Sequence, residues 1–493
     1  MQSTVLFVLD GQLVRLGFSP GGYPHVTTTL LQYLRSLPGH RGVKEGCAEG
    51  DCGACTVVLA EPDGDGGLRY RAVDSCLIFL PMIHGKQVIT VENLRDPSGN
   101  LHGVQQAMVD EFGSQCGFCT PGVVMSLFAL HKTLSAPKRE QVVDAIAGNL
   151  CRCTGYRSII DAGLGAVGSG AGDQFHADAG RIHDLLLSIP RDGLMIETGG
   201  RRYSRPSTIE EALDARRREP DAVVLCGATD TALRVTKNHE EIPSIIDLSG
   251  IAALRAQRRT DAAFFFGAAV TIQEVMDTAE KGIPSLAGML AVFGSRQIRN
   301  IATIGGNVGT ASPIGDTLPV LVALGAEIEL TGSHGVRRLP VEEMLTGYRR
   351  TACRSDELIT GVSIPRIPSD ITVRAYKVSR RADLDISTVS AAFRVRVDGD
   401  GTADGAILAF GGMAEKVRRA RSTEEFLQGR PWTRETVDKA MAGLSDEFRP
   451  LCDVRGSASF RAAVARNLLL KFWAETAGAN GQRAVASAEG VHG

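Results

Sequence analysis

The sequence has no strong excess of charge of either sign and no long apolar run. Its 54 Lys and Arg residues nearly balance its 56 Asp and Glu residues, which gives a formal net charge of -2. This balance gives no electrostatic reason to expect nucleic acid or an anionic membrane as the main partner. No stretch reaches the roughly 18 apolar residues of a membrane span. The N-terminal MQSTVLFVLDGQ has no basic region before its apolar run stops at Asp10. We therefore expect no nucleic-acid partner, no membrane contact and a cytoplasmic location.

The length and the cysteine content indicate several domains and at least one metal site. At about 100 to 200 residues per domain, a chain of 493 residues predicts about three domains. Eleven cysteines are present, and eight of them fall between Cys47 and Cys153. In a reducing compartment clustered cysteines indicate metal binding, whereas the isolated Cys226, Cys353 and Cys452 are interpreted as small packing residues.

The first cysteine set lies in EGCAEGDCGACTVVL, residues 45 to 59. Cys47, Cys52 and Cys55 have the spacing C-x4-C-x2-C, and Cys76 follows in RAVDSCLIFL. This is the plant-type ligand pattern for a [2Fe-2S] cluster. The glycines at 46, 50 and 53 allow positive φ and let backbone N–H groups point at the sulfurs. A zinc site is the alternative, although zinc more often uses paired C-x2-C sequences.

The flanking sequence predicts a ferredoxin-like module. TVLFVLDGQLVRLGF contains two alternating apolar stretches joined by Asp10-Gly11, which predicts a hairpin. TTTLLQYLRSLPG offers threonines as helix caps, leucines at helical spacing and Gly39 as a stop. Strand, strand, helix, cysteine loop and strand is the order of a β-grasp ferredoxin.

The second cysteine set has a different spacing. Cys116 and Cys119 precede a helical stretch that has Pro121 in its first turn. Another helical stretch, EQVVDAIAGNL, leads to Cys151 and Cys153. Helix packing that joins the two pairs predicts a site with four thiolates, for which the spacing alone leaves zinc open.

A glycine motif at residues 163 to 168 does not indicate a dinucleotide site. GLGAVG fits G-x-G-x-x-G, but it follows a helical stretch rather than a strand. Residues 164–190 are rich in Gly, Ala and Asp and show no periodicity, so we expect a flexible linker there.

The rest of the chain contains neither a supported Rossmann fingerprint nor a Walker A sequence. In DAVVLCGATDTALRVTKN a buried strand ends at Gly227, and the following turn can present backbone N–H groups to an anion. In IATIGGNVGTASPIGDTLPV, a second glycine-rich loop can approach a diphosphate, and Asp316 can accept hydrogen bonds from ribityl or ribose hydroxyls. Ordinary glycine-rich turns are the alternative. The loop residues are Gly305, Gly306, Asn307, Gly309 and Thr310.

The cysteine segments carry a family resemblance. GCAEGDCGACTVVL, QCGFCTPGVVMS and NLCRCTGYRSI together resemble the iron-sulfur part of the molybdenum hydroxylases, the family of xanthine dehydrogenases and aldehyde oxidases. The resemblance runs from about residue 5 to residue 163. It implies iron rather than zinc at both sites: one plant-type [2Fe-2S] cluster, and a second in a small four-helix bundle beside the molybdenum cofactor. The implied ligands are Cys47, Cys52, Cys55 and Cys76, and then Cys116, Cys119, Cys151 and Cys153.

The later segments resemble the FAD domain of the same family. TGYRRTACRSDELITGVSIP and AYKVSRRADLDISTVSAAF add to the two glycine-rich stretches. The sequence departs from the family at Ala228, where an amide is common, and at Asp230, where Glu is common. Tyr348 and Lys377 occupy positions near the isoalloxazine in the family, where a positive charge favours the reduced anionic flavin; a solvated strand edge is the alternative for Lys377. The implied flavin contacts are Val224, Leu225, Gly227, Ala228, Thr229, Asp230, Thr231, Phe293, Thr303, Gly306, Asn307, Thr310, Asp316, Ile359 and Lys377.

The resemblance implies an α+β multidomain fold. We expect a β-grasp plant-type ferredoxin domain, a four-helix-bundle [2Fe-2S] domain and an α/β FAD-binding domain of the xanthine dehydrogenase/CO dehydrogenase flavoprotein type with a C-terminal α+β subdomain. The expected boundaries are 1–84, 85–163, a linker at 164–190, 191–367, 368–480 and a disordered tail at 481–493.

The resemblance also implies a role in electron transfer. The family hydroxylates substrate at a molybdopterin held by a large region for which this sequence has no motifs, so the chain resembles the small subunit of a split enzyme. Electrons would pass from molybdopterin on a large partner subunit through two [2Fe-2S] clusters to FAD and then NAD, as purines are oxidised to urate in a dimer of heterodimers. One alternative is another molybdenum hydroxylase, with an aldehyde or other N-heterocycle as substrate or oxygen as acceptor. The other is a zinc-stabilised binding protein without redox activity.

Overall fold

The computed structural model describes residues 3–477. The expected tail at 481–493 and the last three residues of the 368–480 subdomain lie outside this range. Within it, no helix combines the length and the apolar character needed to cross a membrane.

The first unit is a five-stranded sheet covered by one helix. Its elements are β1 (Val5–Leu9), β2 (Gln12–Leu16), α1 (Leu30–Ser36), β3 (Thr56–Pro62), β4 (Leu68–Asp74) and β5 (Gln87–Ile89). The strand order is β2-β1-β5-β3-β4. Strands β1 and β2 form the predicted hairpin, since Asp10 and Gly11 at its turn have φ of 51° and 72°. Thr29 caps α1 through a capping box with Gln32.

Strand β5 changes the expected boundary at residue 84. It pairs in parallel with β1 and antiparallel with β3, in the middle of the first sheet. The boundary at 84/85 assigned this strand to the helical domain. Three residues are too short for a periodicity signal, and the pairing connects strands about 80 positions apart, so the sequence pattern could not reveal it.

The second unit is a bundle of four helices. They are α2 (Gly103–Asp110), α3 (Thr120–Thr133), α4 (Arg139–Ile146) and α5 (Arg157–Gly165). Helix α3 is the most buried of the four, with ten buried residues and Pro121 in its first turn, as predicted. The bundle core also contains Val58, Ala60 and Ala72 of the first sheet. The two cysteine-bearing units therefore share one hydrophobic core.

The segment expected to be a flexible linker is folded and packed. Residues 166–190, which we call the strap, contain α6 (Gln174–Ala177) and α7 (Ala179–Leu187). Asp173 caps α6 and accepts hydrogen bonds from Lys132 and His102 of the bundle at 2.9 and 3.1 Å. Phe175 packs edge-on against Phe128, with ring centroids 4.9 Å apart. These contacts involve single residues far apart in sequence, so the composition of the strap gave no sign of them.

The strap continues onto the first sheet. Ile182 and Leu186 of α7 and Ile189 are buried against Leu6 and Val8 of β1. The strap therefore passes from the helical bundle back to the first unit and holds the two together.

The third unit contains two sheets. Around the first, with order β6-β7-β9-β8, lie β6 (Leu194–Thr198), β7 (Arg201–Arg205), α8 (Ile209–Arg218), β8 (Val223–Leu225), α9 (Thr231–Thr236) and β9 (Ser244–Asp247). The second, with order β10-β11-β16-β12-β13, includes β10 (Gln257–Arg259), β11 (Ala263–Gly267), β12 (Glu327–Gly332), β13 (Gly335–Pro340) and β16 (Glu357–Pro365). Between these strands lie α10 (Ile272–Ala279), α11 (Pro284–Ala291), α12 (Arg296–Arg299), α13 (Ile304–Thr310), α14 (Thr317–Ala323), α15 (Val341–Met344), β14 (Leu345–Gly347) and β15 (Arg350–Thr351).

The fourth unit is an antiparallel sheet with helices. Its elements are β17 (Ile371–Val378), β18 (Val389–Val397), β19 (Ala403–Gly411), β20 (Arg418–Arg419), α16 (Arg421–Leu427), α17 (Arg434–Glu447) and α18 (Ala458–Thr476). The strands pair in chain order. An aromatic group of Phe393, Phe410, Phe448 and Phe472 forms much of its core. The architecture confirms the expected multidomain α+β fold, whereas the remaining domain boundaries stay predictions.

Partly buried ion pairs join the third unit to the first two. Glu274 of α10 bonds Arg71 of β4, and Asp144 of α4 bonds both Arg296 and the fully buried Arg299 of α12. Burial alone would raise the pKa of Glu274 and of Asp144, yet the arginines hold both pKa values below the ordinary range.

We predict that these carboxylates make the assembly sensitive to acid. A carboxyl group whose pKa is lowered in the folded state stabilises it fully above the unfolded pKa of about 4, and this contribution is lost as the pH falls through the lowered value. Asp144→Asn leaves Arg299 buried without its anion and should cost about 2 to 4 kcal/mol at pH 7, less than a fully buried pair because Asp144 is partly exposed. It should also weaken the fall in stability between pH 5 and 3. Denaturant unfolding at several pH values measures both effects, with the exposed Asp110→Asn as control. Equal acid sensitivity in wild type and Asp144→Asn would contradict the prediction.

Candidate redox centres

The first cysteine set converges at the end of the first sheet. Cys47, Cys52 and Cys55 lie on the loop before β3, and Cys76 lies on a 3-10 turn after β4. The Sγ atoms of Cys55 and Cys76 are 3.4 Å apart, and the N–H of Cys47 donates to Cys52 Sγ at 3.4 Å. The backbone N–H groups at positions 49 and 51 donate to Cys47 Sγ at 3.4 and 3.3 Å. Such N–H···S bonds stabilise thiolates that ligate iron.

Two glycines of this loop have the conformation that the sequence predicted. Gly50 and Gly53 have φ of 81° and 63°. Gly53 also lies against the helical bundle, because a Cβ on it would come within 2.3 Å of the carbonyl oxygen of Gly148. The loop therefore needs glycine at position 53 both for its own turn and for the approach of the second unit.

The crowded sulfurs cannot all carry charge without compensating cations. A hydrogen bond with Cys76, together with burial, raises the pKa of the Cys55 thiol well above its usual value. The bond with Cys47 lowers the pKa of Cys52 to about 6. Two ferric ions would supply the positive charge that four neighbouring thiolates require, so the donor set fits an iron-sulfur cluster.

The second set is brought together from two helix ends. Cys119 contacts Cys151, and Cys116 contacts Cys153, so each C-x2-C thiol faces one C-x-C thiol. The N–H of Cys151 donates to the hydroxyl of Tyr156 at 2.8 Å. Burial and Cys151 raise the pKa of Cys119 to about 12. In residues 3–477, no group of three or more His, Cys, Asp or Glu side chains has the arrangement of ligands around a single metal ion.

The second set lies at the surface, unlike the first. Cys116 and Cys153 are exposed, whereas Cys55 and Cys76 are buried. Two aromatic side chains of the same loop are also solvent-facing, Phe112 at 83% and Phe118 at 49% exposure. The second set is therefore accessible from solvent.

One backbone hydrogen bond joins the two cysteine sets. The N–H of Leu150 donates to the carbonyl oxygen of Cys52 at 3.0 Å, and Leu150 precedes Cys151 in the chain. The buried Asn149 donates to the Gly53 carbonyl at 2.9 Å and to Thr56 Oγ1 at 3.1 Å. A ligand of one set is thus connected to a ligand of the other by covalent bonds and a single hydrogen bond.

The third unit reaches this contact through Gln297 of α12. Its fully buried Nε2 lies 2.8 Å from Ser126 Oγ and 3.0 Å from both the Ala145 carbonyl oxygen and Asn149 Oδ1, so its two hydrogens are shared among three acceptors, while its Oε1 has no hydrogen-bond partner among the described residues. Ser126 in turn donates to Asn149 Oδ1 at 2.6 Å. We call Ser126, Asn149 and Gln297 the junction, because here the third unit contacts the loops that carry both cysteine sets.

A cavity of about 630 Å³ lies between the third unit, the fourth unit and the first cysteine loop. Its volume is in the range of cofactor pockets. Most of the residues expected to contact flavin line it: Val224, Ala228, Thr229, Asp230, Thr231, Phe293, Thr303, Gly306, Asn307, Thr310, Asp316, Ile359 and Lys377.

Three of the expected flavin residues do not line this cavity. Leu225 is buried in the core beneath it. Gly227 has φ of 94°, and a Cβ there would lie 2.3 Å from the Ile301 carbonyl, so Gly227 brings the two glycine-rich segments together. Tyr348 is 63% exposed, and its neighbour Arg349 lines the cavity instead, paired with Asp230 at 3.0 Å.

The second glycine-rich segment is helical rather than a loop. Ile304–Thr310 forms α13, capped by Thr303, whose hydroxyl also donates to the Cys226 carbonyl at 2.9 Å. Glycines in the sequence favoured a loop, but their role is close packing: a Cβ on Gly305 would lie 2.5 Å from Ala268 Cβ. Ala228, at the departure from the family, has φ of 62°, a conformation that Asn or Gly adopts more easily.

A buried ion pair forms one wall of the cavity. Lys377 Nζ lies 2.9 Å from Asp316 Oδ2 and donates to the Val292 carbonyl at 2.8 Å. The Lys377 and Asp316 side chains are 4% and 8% exposed, and Ser387 also donates to Asp316. Lys377 is therefore not on a solvated strand edge, and its fixed charge can stabilise an anion in the cavity.

The cavity also touches the first cysteine loop. Glu49, Asp51 and Leu77 line it, and the backbone of the first two donates to Cys47 Sγ. Sequence reasoning missed these lining residues, as it missed the junction. The only available signal was the polar run SRQIRN, residues 295–300, within an otherwise apolar region.

Four domain families match the chain in order. They are described as a 2Fe-2S iron-sulfur cluster binding domain (residues 24–79), a [2Fe-2S] binding domain (90–164), an FAD binding domain in molybdopterin dehydrogenase (196–367) and a CO dehydrogenase flavoprotein C-terminal domain (374–476). The chain belongs to the molybdenum hydroxylase family. Its cofactor-binding domains are accordingly those of two [2Fe-2S] clusters and FAD.

The chain is similar to longer xanthine dehydrogenases. The protein of Drosophila subobscura is 32% identical over 526 residues, which cover 95% of this molybdenum hydroxylase chain and 39% of that protein. The protein of Emericella nidulans is 32% identical over 529 residues, which cover 95% of this chain and 38% of that protein. The chain thus spans well under half the length of these relatives.

Solved structures resemble the flavin-binding part. A reconstituted CO dehydrogenase from Oligotropha carboxidovorans has a TM-score of 0.52 and 27% identity, over 57% of this chain and 97% of that chain. Quinoline 2-oxidoreductase from Pseudomonas putida has a TM-score of 0.51 and 24% identity, over 56% of this chain and 96% of that chain. The second likeness bears on the fold alone.

We predict that the junction contributes measurably to stability. Gln297→Ala removes the amide that Ser126, Ala145 and Asn149 share, so buried acceptors lose their donor. The expected cost is about 1 to 3 kcal/mol in the free energy of unfolding. Urea unfolding measures it, with Gln106→Ala, an exposed amide that bonds Asp110, as the matched control. Equal costs for the two variants would mean that the junction adds nothing beyond an ordinary surface hydrogen bond.

Proposed function

We propose that this chain is the FAD and iron-sulfur subunit of a xanthine dehydrogenase (EC 1.17.1.4). It passes electrons from a molybdopterin centre on a large partner subunit through two [2Fe-2S] clusters to FAD and then to NAD, while hypoxanthine and xanthine are oxidised to urate. The observation that carries the proposal is the unbroken succession of the three sites. The exposed cysteine set is joined to the buried one by the bond from Leu150 to Cys52, and the loop of the buried set lines the flavin cavity.

The eight cysteines of the two sets hold the clusters. Cys47, Cys52, Cys55 and Cys76 bind one, and Cys116, Cys119, Cys151 and Cys153 bind the other. The clusters carry single electrons, and FAD exchanges electrons singly or as a hydride. The protein would hold the first cluster in place: burial of Cys55 and Cys76 shields one side of it from water, and the backbone bonds to Cys47 Sγ stabilise that thiolate.

The cavity of the third unit holds FAD. Thr229, Asp230 and Thr231 lie at one glycine-rich segment, and Thr303, Gly306 and Asn307 lie at the other. Lys377, held by Asp316, supplies a positive charge against the flavin, which favours the reduced anionic form.

The partner and the substrate are inferred from relatives. This chain matches 97% of a CO dehydrogenase chain, so the flavin-binding part forms a chain of its own in that enzyme, and from this arrangement we infer a separate large subunit that binds molybdopterin. The exposed second cysteine set, flanked by Phe112 and Phe118, is where we place that subunit. A dimer of heterodimers follows the same inference. Because the resembling solved structures include a CO dehydrogenase and a quinoline oxidoreductase, the alternative is the same role in a hydroxylase with another substrate or acceptor.

Metal and flavin content tests the proposal. The chain purified anaerobically should contain about four iron atoms per FAD, the sum of two [2Fe-2S] clusters. Cys47→Ser and Cys116→Ser should each lower this to about two while retaining flavin, because the two ligand sets are separate. Elemental analysis and flavin absorbance measure both, and Cys452→Ser, an exposed cysteine outside both sets, is the control.

Two results would refute the assignment. Zinc in place of iron, or iron without flavin, would mean that the sites have structural roles. If iron and flavin are present but the complex with its large subunit oxidises an aldehyde or quinoline rather than xanthine, the electron-transfer role stands and the alternative is correct.

We also predict that Lys377 controls flavin retention. Lys377→Met leaves Asp316 buried without its cation, so an anionic cofactor should bind at least tenfold more weakly. The reduction potential of any bound flavin should fall, because the reduced anion loses a neighbouring positive charge. Flavin fluorescence titration and dye-linked potentiometry measure the two effects, and Lys377→Arg should restore part of each. Lys439→Met, at an exposed pair with Glu435, is the matched control. Unchanged binding and potential in Lys377→Met would remove Lys377 from the flavin site.

A further inference from the structure

Helix α9 spans the distance between the flavin cavity and the first cysteine loop. Asp230 and Thr231 at its start line the cavity. Lys237 follows its last residue, and its Nζ donates to the Cys47 carbonyl at 3.3 Å and pairs with Glu49 Oε2 at 3.1 Å. One short element of the third unit therefore contacts both the flavin cavity and a ligand of the first cysteine set.

The surface that Lys237 faces is acidic. Glu49 and Asp51 lie on the cysteine loop, and both line the cavity. Two cations from other units lie near Asp51: Lys237 of the third unit and Arg381 of the fourth. Arg381 is itself paired with the carboxylate of Asp385. Two carboxylates thus lie on the cysteine loop itself, and Lys237 pairs with one of them while it bonds the Cys47 carbonyl. Lys237 is therefore a cation placed directly against this acidic loop.

We propose that Lys237 is a positioning residue that raises the reduction potential of the first cluster. Its ammonium fixes the carbonyl of Cys47 against the third unit and places a positive charge beside a cluster ligand. An electron adds negative charge to a cluster, so this cation raises the reduction potential of the first cluster relative to the second and favours transfer toward the flavin side. The inference rests on the proposed function, since it requires both clusters.

The effect is separate from stability. Lys237 and Glu49 are partly exposed, at 43% and 37%, so their ion pair contributes little to the free energy of unfolding. Lys237 should change the reduction potential of the first cluster more than the free energy of unfolding, because its ammonium contacts the carbonyl of the cluster ligand Cys47 directly. Salt should weaken this influence, since the pair is reachable by solvent ions.

The test is a reductive titration of the full chain followed by electron paramagnetic resonance, which resolves the two clusters. In Lys237→Met the equilibrium constant for moving an electron from the second cluster to the first should fall about two- to tenfold at low ionic strength. Lys237→Arg, which keeps the charge, should remain close to wild type. Lys439→Met controls for loss of a surface lysine. The thermal midpoint should stay unchanged in all three variants.

A second variant with the opposite expected effect distinguishes a change in charge from poor incorporation of the clusters. Glu49→Gln removes the anion on the other side of the contact, and it should change the same equilibrium constant in the opposite direction. If both clusters and the flavin are present and neither Lys237→Met nor Glu49→Gln changes the constant, the inference is wrong and the proposed function is unaffected. If the wild-type chain shows no cluster or flavin signal, the proposed function itself fails.

Discussion

The placement of the third unit against the helical bundle depends on one buried amide and the ion pairs beside it. Gln297 has no exposed surface, and its Nε2 lies within 3.0 Å of Ser126 Oγ, the Ala145 carbonyl and Asn149 Oδ1, all on the helical bundle. Its Oε1 is buried without a hydrogen-bond partner in this orientation, whereas the opposite orientation would place that oxygen against the Ala145 carbonyl and Asn149 Oδ1, which cannot donate to it. An unpaired buried donor costs about 1 to 3 kcal/mol, which penalises any shift of the third unit relative to the bundle.

Helix α12, which carries Gln297, also fixes the wall of the flavin cavity. Arg299, the last residue of α12, is fully buried. It pairs with Asp144 of the bundle and donates to Gln273 at 2.9 Å. It also donates to the Phe293 carbonyl, and Lys377 donates to the neighbouring Val292 carbonyl, so the backbone beneath the cavity wall is held from both sides. A charge buried without its partner is strongly unfavourable. The position of the cavity wall is therefore tied to the position of the cysteine loops.

Local features of this architecture were readable from the sequence, and long-range ones were not. The spacing of Cys47, Cys52 and Cys55 and the Asp10-Gly11 turn are properties of neighbouring residues, so pattern reasoning found them. The bond between Asn149 and Gln297 joins positions 148 apart, and nothing in either segment indicates it. The strap was misread for the same reason, since Asp173 and Phe175 acquire their roles only from Lys132 and Phe128 of the bundle. Glycine content in IGGNVG suggested a loop, although those glycines serve close packing of a helix.

The two contacts along the line of sites differ in kind, and the difference has a physical consequence. Between the cysteine sets the contact passes through the Leu150 backbone and the buried Asn149, and it is uncharged and geometrically strict, which suits a fixed distance between the two centres. Between the first set and the flavin cavity the contact is partly exposed and charged, through Lys237, Glu49 and Asp51. Charges act over a longer range than hydrogen bonds and tolerate small displacements. The contact through Asn149 therefore fixes the distance between the two cysteine sets. The charged contact through Lys237 affects the reduction potential of the first cluster, and ionic strength can change its effect.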